Sequence, residues 1–103
     1  PHTKIALANN DLIGSVTLTQ FHGPLAHVGD AWLTNLWVHP DWRRRGVGCA
    51  LCNGLFDLAR AHHVTKLQLF TYDQSSYYRA MGWTEVRSAQ IAGRSCTVMS
   101  FVL

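Results

Sequence analysis

The chain has 103 residues, 48% of them hydrophobic and 15% charged, with a formal net charge of +3 and only 3 Pro. That make-up fits one globular domain over residues 1–103 and excludes both a second domain and a disordered chain, because enough apolar surface is available to offset the entropy of folding. No stretch approaches the roughly 18 consecutive apolar residues that a spanning helix requires, which excludes a membrane span of that type.

Residues 4–8 form a short apolar run, Asn9, Asn10 and Asp11 supply a turn, and residues 13–21 return with Val16 and Leu18 alternating against Ser15, Thr17 and Thr19. This pattern predicts a hairpin. Gly23, Pro24 and Gly29 punctuate residues 22–29 as a loop. Residues 31–38 are almost continuously apolar, as in a central strand covered on both faces, and Pro40 ends them.

Beyond Gly46 the period changes from 2 to 3.6. Val47, Leu51, Leu55, Leu58 and Ala59 make one stripe, predicting a helix from near Val47 to near Ala61, with Gly54 suggesting close packing against the sheet. Residues 66–71 read as the next strand, and a crossover of this length implies a parallel, right-handed connection. Asp73 is placed to cap a short helix through Gln74, Tyr77, Tyr78 and Met81, which Gly82 stops. Residues 83–88 and 95–102 read as two last strands joined around Gly93. The fold class is therefore α/β, a mixed, mostly antiparallel sheet of about six strands with two helices.

The chemistry concentrates between Val38 and Leu51, where a strand delivers the chain through Arg43, Arg44 and Arg45 into Gly46 and Gly48 and then into a helix. Backbone N–H groups of a first helical turn have no partner inside the helix, and the macrodipole makes that end positive. A basic, glycine-containing strand–loop–helix junction is thus suited to an anion such as a pyrophosphate. It is neither the dinucleotide fingerprint nor a Walker loop. Three cysteines make no disulfide framework, and Cys49 with Cys52 has half the spacing of a metal site and no second half. Packing cysteines, reduced thiols and a cytoplasmic protein without metal follow.

Arg43-x-x-Gly46-x-Gly48, preceded by Leu36-Trp37-Val38-His39-Pro40, resembles the acetyl-coenzyme A loop of the GNAT superfamily of N-acetyltransferases. Tyr77-Tyr78-Arg79-Ala80-Met81-Gly82-Trp83 is similar to that family's Phe-Tyr-x-x-x-Gly-Phe segment, and the tail resembles a bacterial subgroup of small members. The resemblance spans essentially the whole chain. It implies acetyl-coenzyme A as co-substrate, with backbone groups of Leu36, Trp37 and Val38 meeting the pantetheine arm. It assigns the pyrophosphate to the stretch of Arg43, Arg44, Arg45, Gly46, Val47, Gly48 and Cys49. Tyr78 matches the tyrosine that protonates the leaving thiolate, and Tyr77 reads as the packing residue of the pair. The resemblance further implies that the family's first strand and first two helices are missing, leaving an exposed edge at residues 4–8 open to homodimer formation.

Positions where relatives carry a Glu or His base hold Trp32, Thr34 and Phe70 here, so Asp30 and His39, at loop edges, are the remaining candidates. The asparagine that often contacts the cofactor has no clear counterpart, Asp73 being the nearest. Trp32, Trp37, Tyr72 and Trp83 read as core, with an acceptor cleft as the other possibility. The expected activity is acetyl transfer to a primary amine of a small molecule or peptide. The alternative is a catalytically weak coenzyme A binding or sensor module. A nucleic-acid binder would need more than one basic cluster in an otherwise nearly balanced chain.

Overall fold

The computed structural model describes residues 2–19 and 30–103, with Asp30 described by its backbone alone. The expected end of the second strand at Phe21 and the expected loop over 22–29 lie outside the described residues. So does the side chain of Asp30, and with it one of the two candidate bases.

The described chain runs β1 (His2–Ala8), β2 (Asp11–Thr19), β3 (Asp30–Val38), a 3-10 turn (Pro40–Trp42), α1 (Val47–Ala61), β4 (Lys66–Thr71), α2 (Ser75–Ala80), β5 (Thr84–Ile91) and β6 (Arg94–Val102). The strands form one sheet in the order β1-β2-β3-β4-β6-β5. Only β3 and β4 pair in parallel; the other pairs are antiparallel. Asn9 and Asn10 turn the first hairpin with φ of 53° and 69°, the left-handed conformation asparagine tolerates best after glycine. The edge strand β1 leaves Ile5 and Leu7 exposed.

α1 lies across β1, β2 and β3. Its stripe of Leu51, Leu55 and Ala59 is buried against Val16 and Leu18 of β2, Leu33 of β3 and Leu67 and Leu69 of β4. Each fully buried leucine contributes about 1.5–3 kcal/mol. The glycine that permits this approach is not Gly54, whose Cβ position meets nothing within 4 Å, but Gly14. A Cβ there would stand 2.9 Å from the Leu51 side chain and 3.0 Å from the Trp37 carbonyl oxygen.

β3 is not a uniform strand. Ser15 pairs with Trp37 and Thr17 with Thr34, so Asn35 and Leu36 together oppose Val16 alone. The extra residue is a bulge, and Asn35 carries it with a φ of 55°. Upstream, Ala31 and Leu33 face the core; downstream, Leu36 and Val38 do, and Trp37 turns outward with 40% exposure. Pairing between β3 and β4 is confined to residues 30–32 and 66–68. Beyond it the two strands diverge, and the backbone of β3 on that side has no strand partner.

Two further expectations change. Asp73 does not cap α2: its N-cap is Gln74 with no side-chain cap bond, while the Gln74 N–H donates to Thr71 Oγ1 at 2.9 Å. The threonine at the end of β4 therefore holds the turn and leaves Asp73 exposed. The packing residue on α2 is Tyr78, with Met81 one turn on, both against the core. Tyr77, about 100° around the helix from Tyr78, is 41% exposed.

Candidate functional site

Divergence of β3 from β4 leaves two clefts. The first, about 610 Å³, lies between the end of β3, the N-terminus of α1 and one face of α2. The second, about 600 Å³, lies where β3 and β4 part and includes Thr34, Phe70, Thr71, Tyr72 and Asp73. Leu36 and Tyr78 are the two residues common to both walls.

The first cleft gathers Leu36, Trp37, Val38, Arg43, Arg44, Gly46, Val47, Gly48, Cys49 and Tyr78, the residues singled out from sequence. Arg45 is the exception. It does not line the cleft; its guanidinium sits 5.0 Å over the ring of Trp42, which does, in a cation–π contact. The Arg43 Nε donates to the Val38 carbonyl at 3.1 Å, tying the loop to the end of β3.

The loop closes through two left-handed residues, Arg44 at φ 63° and Gly46 at φ 82°. Gly46 is the N-cap of α1 and offers no side-chain acceptor, so the N–H groups of Val47, Gly48 and Cys49 stay uncapped. The first helical bond runs from the Ala50 N–H to the Gly46 carbonyl at 3.0 Å. Open donors, a positive helix end and arginines on one wall suit an anion; an apolar channel past Leu36 and Val38 suits a narrow arm behind it.

Burial pushes the Tyr78 phenol up to about 12 from its ordinary 10.0, with Cys52 and Tyr77 adding in the same direction. Tyr77 is raised as well, first by burial and then by Cys52 and Cys49. Neither hydroxyl forms a hydrogen bond with another described residue. Tyr78 packs its ring edge-on to Trp83, centroids 6.1 Å apart. Its ring is thus held by the core on the wall that the two clefts share.

His39 lines neither cleft. Its Nδ1 accepts the Asp41 N–H at 3.1 Å and caps the 3-10 turn, which removes it as a base at that nitrogen. Cys49 is exposed on the first wall rather than packed, whereas Cys52 and Cys96 are buried, all three as free thiols. Among the described residues no group of three His, Cys, Asp or Glu could hold a metal, and no helix is long and apolar enough to cross a membrane. Sequence reasoning missed Gln74, Tyr77, Ala80 and Met81 as cleft residues, and Trp42 beside the arginines. The available signal was the helical spacing of 74, 77, 78 and 81, which had suggested packing alone.

The residues fit the phosphate-bearing, thioester-carrying coenzyme that the sequence suggested: the uncapped N–H groups of α1 and the side chains of Arg43 and Arg44 line one wall, and Gly48 sets no Cβ against Tyr77 Oη there. Among solved structures, N-acetylglutamate synthase from Neisseria gonorrhoeae, complexed with coenzyme A and N-acetyl-glutamate, is similar to 98% of this chain, with a TM-score of 0.87 and 18% identity. That match covers 25% of the synthase, so this chain spans a quarter of its length. The ribosomal-protein-alanine N-acetyltransferase from Brucella melitensis matches 98% of this chain and 68% of its own, with a TM-score of 0.82 and 20% identity. An aminoglycoside 6′-N-acetyltransferase complexed with coenzyme A gives 0.82 and 15% identity over 97% of this chain and 71% of its own. Likenesses at such identity establish the fold. No curated protein matches the sequence. The sequence model of the acetyltransferase (GNAT) family does, over residues 1–83, which takes in both walls of the first cleft as far as Trp83. The chain belongs to the GNAT family of acetyltransferases.

Proposed function

We propose that the chain transfers acetyl from acetyl-coenzyme A to a primary amine of a small molecule or peptide, the coenzyme in the first cleft and the amine in the second. The observation that carries this reading is the shared wall: Tyr78 and Leu36 border both clefts, so a group at the end of one meets a group at the end of the other. When bound, acetyl-coenzyme A supplies an acetyl thioester that is electrophilic toward an unprotonated amine.

The chain's own residues then divide the work. The uncapped N–H groups at the start of α1, with Arg44, hold phosphate oxygens. Backbone groups of Leu36, Trp37 and Val38 on the unpaired side of β3 offer amide partners to the arm. Tyr78 holds its proton across the neutral range and presents Oη to a departing thiolate. A phenol at about 12 is a weaker acid than a thiol near 8.5. Its contribution is therefore a hydrogen bond to developing negative charge rather than complete proton transfer. Asp73 gives the second cleft an acidic group, which draws in a cationic amine.

A coenzyme-binding or sensor module without transfer is the second reading. It is favoured by one observation: among the described residues no imidazole lines either cleft, and Asp73 is the carboxylate on the second wall. Incubating the protein with acetyl-coenzyme A and a panel of amines separates the two. Acetylated amine and free thiol in equal amounts are expected. Calorimetric binding of coenzyme A with no product from any amine establishes the sensor instead, and no binding at all removes both.

A further inference from the structure

The polar group that the proposed mechanism leaves unused is the hydroxyl of Tyr77. It lies on the wall of the first cleft and not of the second. It reaches across from α2 to the first turn of α1, where a Cβ on Gly48 would collide with Oη and lie 3.7 Å from Val38 Cγ2. Gly48 is the second residue of α1, and its N–H is one of the uncapped donors. Tyr77 Oη has no hydrogen-bond partner among the described residues and stands within van der Waals range of that backbone.

A helix end and a phenol therefore face one space from opposite sides. A ligand held only by α1 would leave its outer oxygens to solvent; one that also meets Tyr77 is closed between α1 and α2. The two adjacent tyrosines are set edge to face, ring centroids 5.2 Å apart, and Tyr78 borders both clefts where Tyr77 borders the first alone. Tyr77 Oη lies against Gly48 in the first turn of α1.

We propose that Tyr77 is a positioning residue whose hydroxyl donates to the phosphate chain of the coenzyme, completing from α2 the donor set begun by the N-terminus of α1. This rests on the reading that coenzyme A occupies the first cleft. The residue touches no reacting atom, so its loss acts on affinity and not on the chemical step.

The test is Tyr77→Phe, which keeps the ring and removes only the donor. Tyr77 is 41% exposed and its hydroxyl bonds to no described residue, so the variant should melt with the parent. Calorimetry is expected to show coenzyme A binding about tenfold weaker, the scale of one hydrogen bond to a charged group. In phosphorus NMR of the saturated complex, the pyrophosphate resonances are expected to move and the 3′-phosphate to stay. Under turnover, KM for acetyl-coenzyme A should rise while kcat holds. Unchanged or tighter affinity overturns the proposal, as does weaker affinity with the pyrophosphate resonances unmoved, which would place the hydroxyl on the arm. A parent protein that binds no coenzyme A defeats the proposed function itself, an outcome distinct from parent binding that Phe leaves intact.

A second variant guards the conclusion. Gly48→Ala puts a methyl where the hydroxyl lies, but meets Cζ of the same ring at an ordinary 3.6 Å. Its effect on affinity should therefore be smaller in the Tyr77→Phe background than in the parent. Fully additive losses count against the contact.

Discussion

Arg43 and Val38 are joined side chain to main chain, the Nε donating to the carbonyl that ends β3 at 3.1 Å. The arginine acts on the loop's shape as well as its charge. Arg43→Ala should weaken coenzyme A binding by about tenfold. Arg43→Lys, which lacks the planar fork, should recover only part of that. Arg45→Ala, whose side chain rests on Trp42, should change affinity by less than about threefold. Titration of the three variants at fixed salt checks the order, and equal losses at 43 and 45 would return both to a general electrostatic role.

Tyr78→Phe should lower kcat by about a hundredfold while leaving KM for acetyl-coenzyme A within about twofold, because the lost hydrogen bond forms with charge that develops only as the thiolate departs. With the phenol pushed up to about 12, the rate of the parent should show no alkaline loss from this group below about pH 10. A pH–rate profile of parent and variant tests both. A kcat that Phe leaves unchanged removes Tyr78 from the chemistry.

Stability should fall at high pH in two steps. Burial raises the Cys52 thiol from 9.0 to about 11, with Cys49 adding, and raises Tyr78 from 10.0 to about 12. Each group holds its proton more tightly folded than unfolded, so unfolding releases protons and stability declines as pH rises. The contribution is complete below pH 9 and is lost between about 9 and 11 for Cys52, then between about 10 and 12 for Tyr78. Thermal melts from pH 7 to 11 should show the decline, and Cys52→Ala should delay its onset by about one pH unit. A flat curve through pH 11 would contradict it.

The two glycines flanking the first half of α1 should respond in opposite directions. Gly54→Ala gains helix propensity with open space around the methyl, a stabilisation of about 0.5–1 kcal/mol. Gly46→Ala also finds open space but must sit at φ 82°, at a cost of about 1 kcal/mol. Urea denaturation of both variants decides the matter, and a destabilised Gly54→Ala would mean that the helix is constrained there by something other than packing.

Period and punctuation made most of the frame legible. The stripe from Val47 to Ala59 marks α1, Asn9 and Asn10 mark a hairpin, and Gly82 sits just past α2 with a φ of 102°. The Arg43 to Cys49 stretch marked the uncapped donors at the start of α1 because donors at a helix start are a local property. What stayed hidden depends on neighbours distant in sequence. Gly14 and Gly54 look alike until α1 lies on β2. Asp73 yields its capping role to Thr71 because β4 ends with that hydroxyl in reach. Tyr78 rather than Tyr77 packs on the core because the core lies on the Tyr78 side of α2, and a six-residue helix is too short to show its apolar face in sequence.

The bulge at Asn35 makes β3 two half-strands of opposite phase: odd-numbered Ala31 and Leu33 point into the core before it, even-numbered Leu36 and Val38 after it. Residue count, not only residue identity, therefore encodes the cleft. Removing Asn35 would restore one unbroken alternation in which Leu36 and Val38 still point inward and Trp37 outward, so what the extra residue supplies is the left-handed bend itself. A chain altered in this way would keep nearly all its composition and both its motifs, yet lose the bend beside the wall its two clefts share.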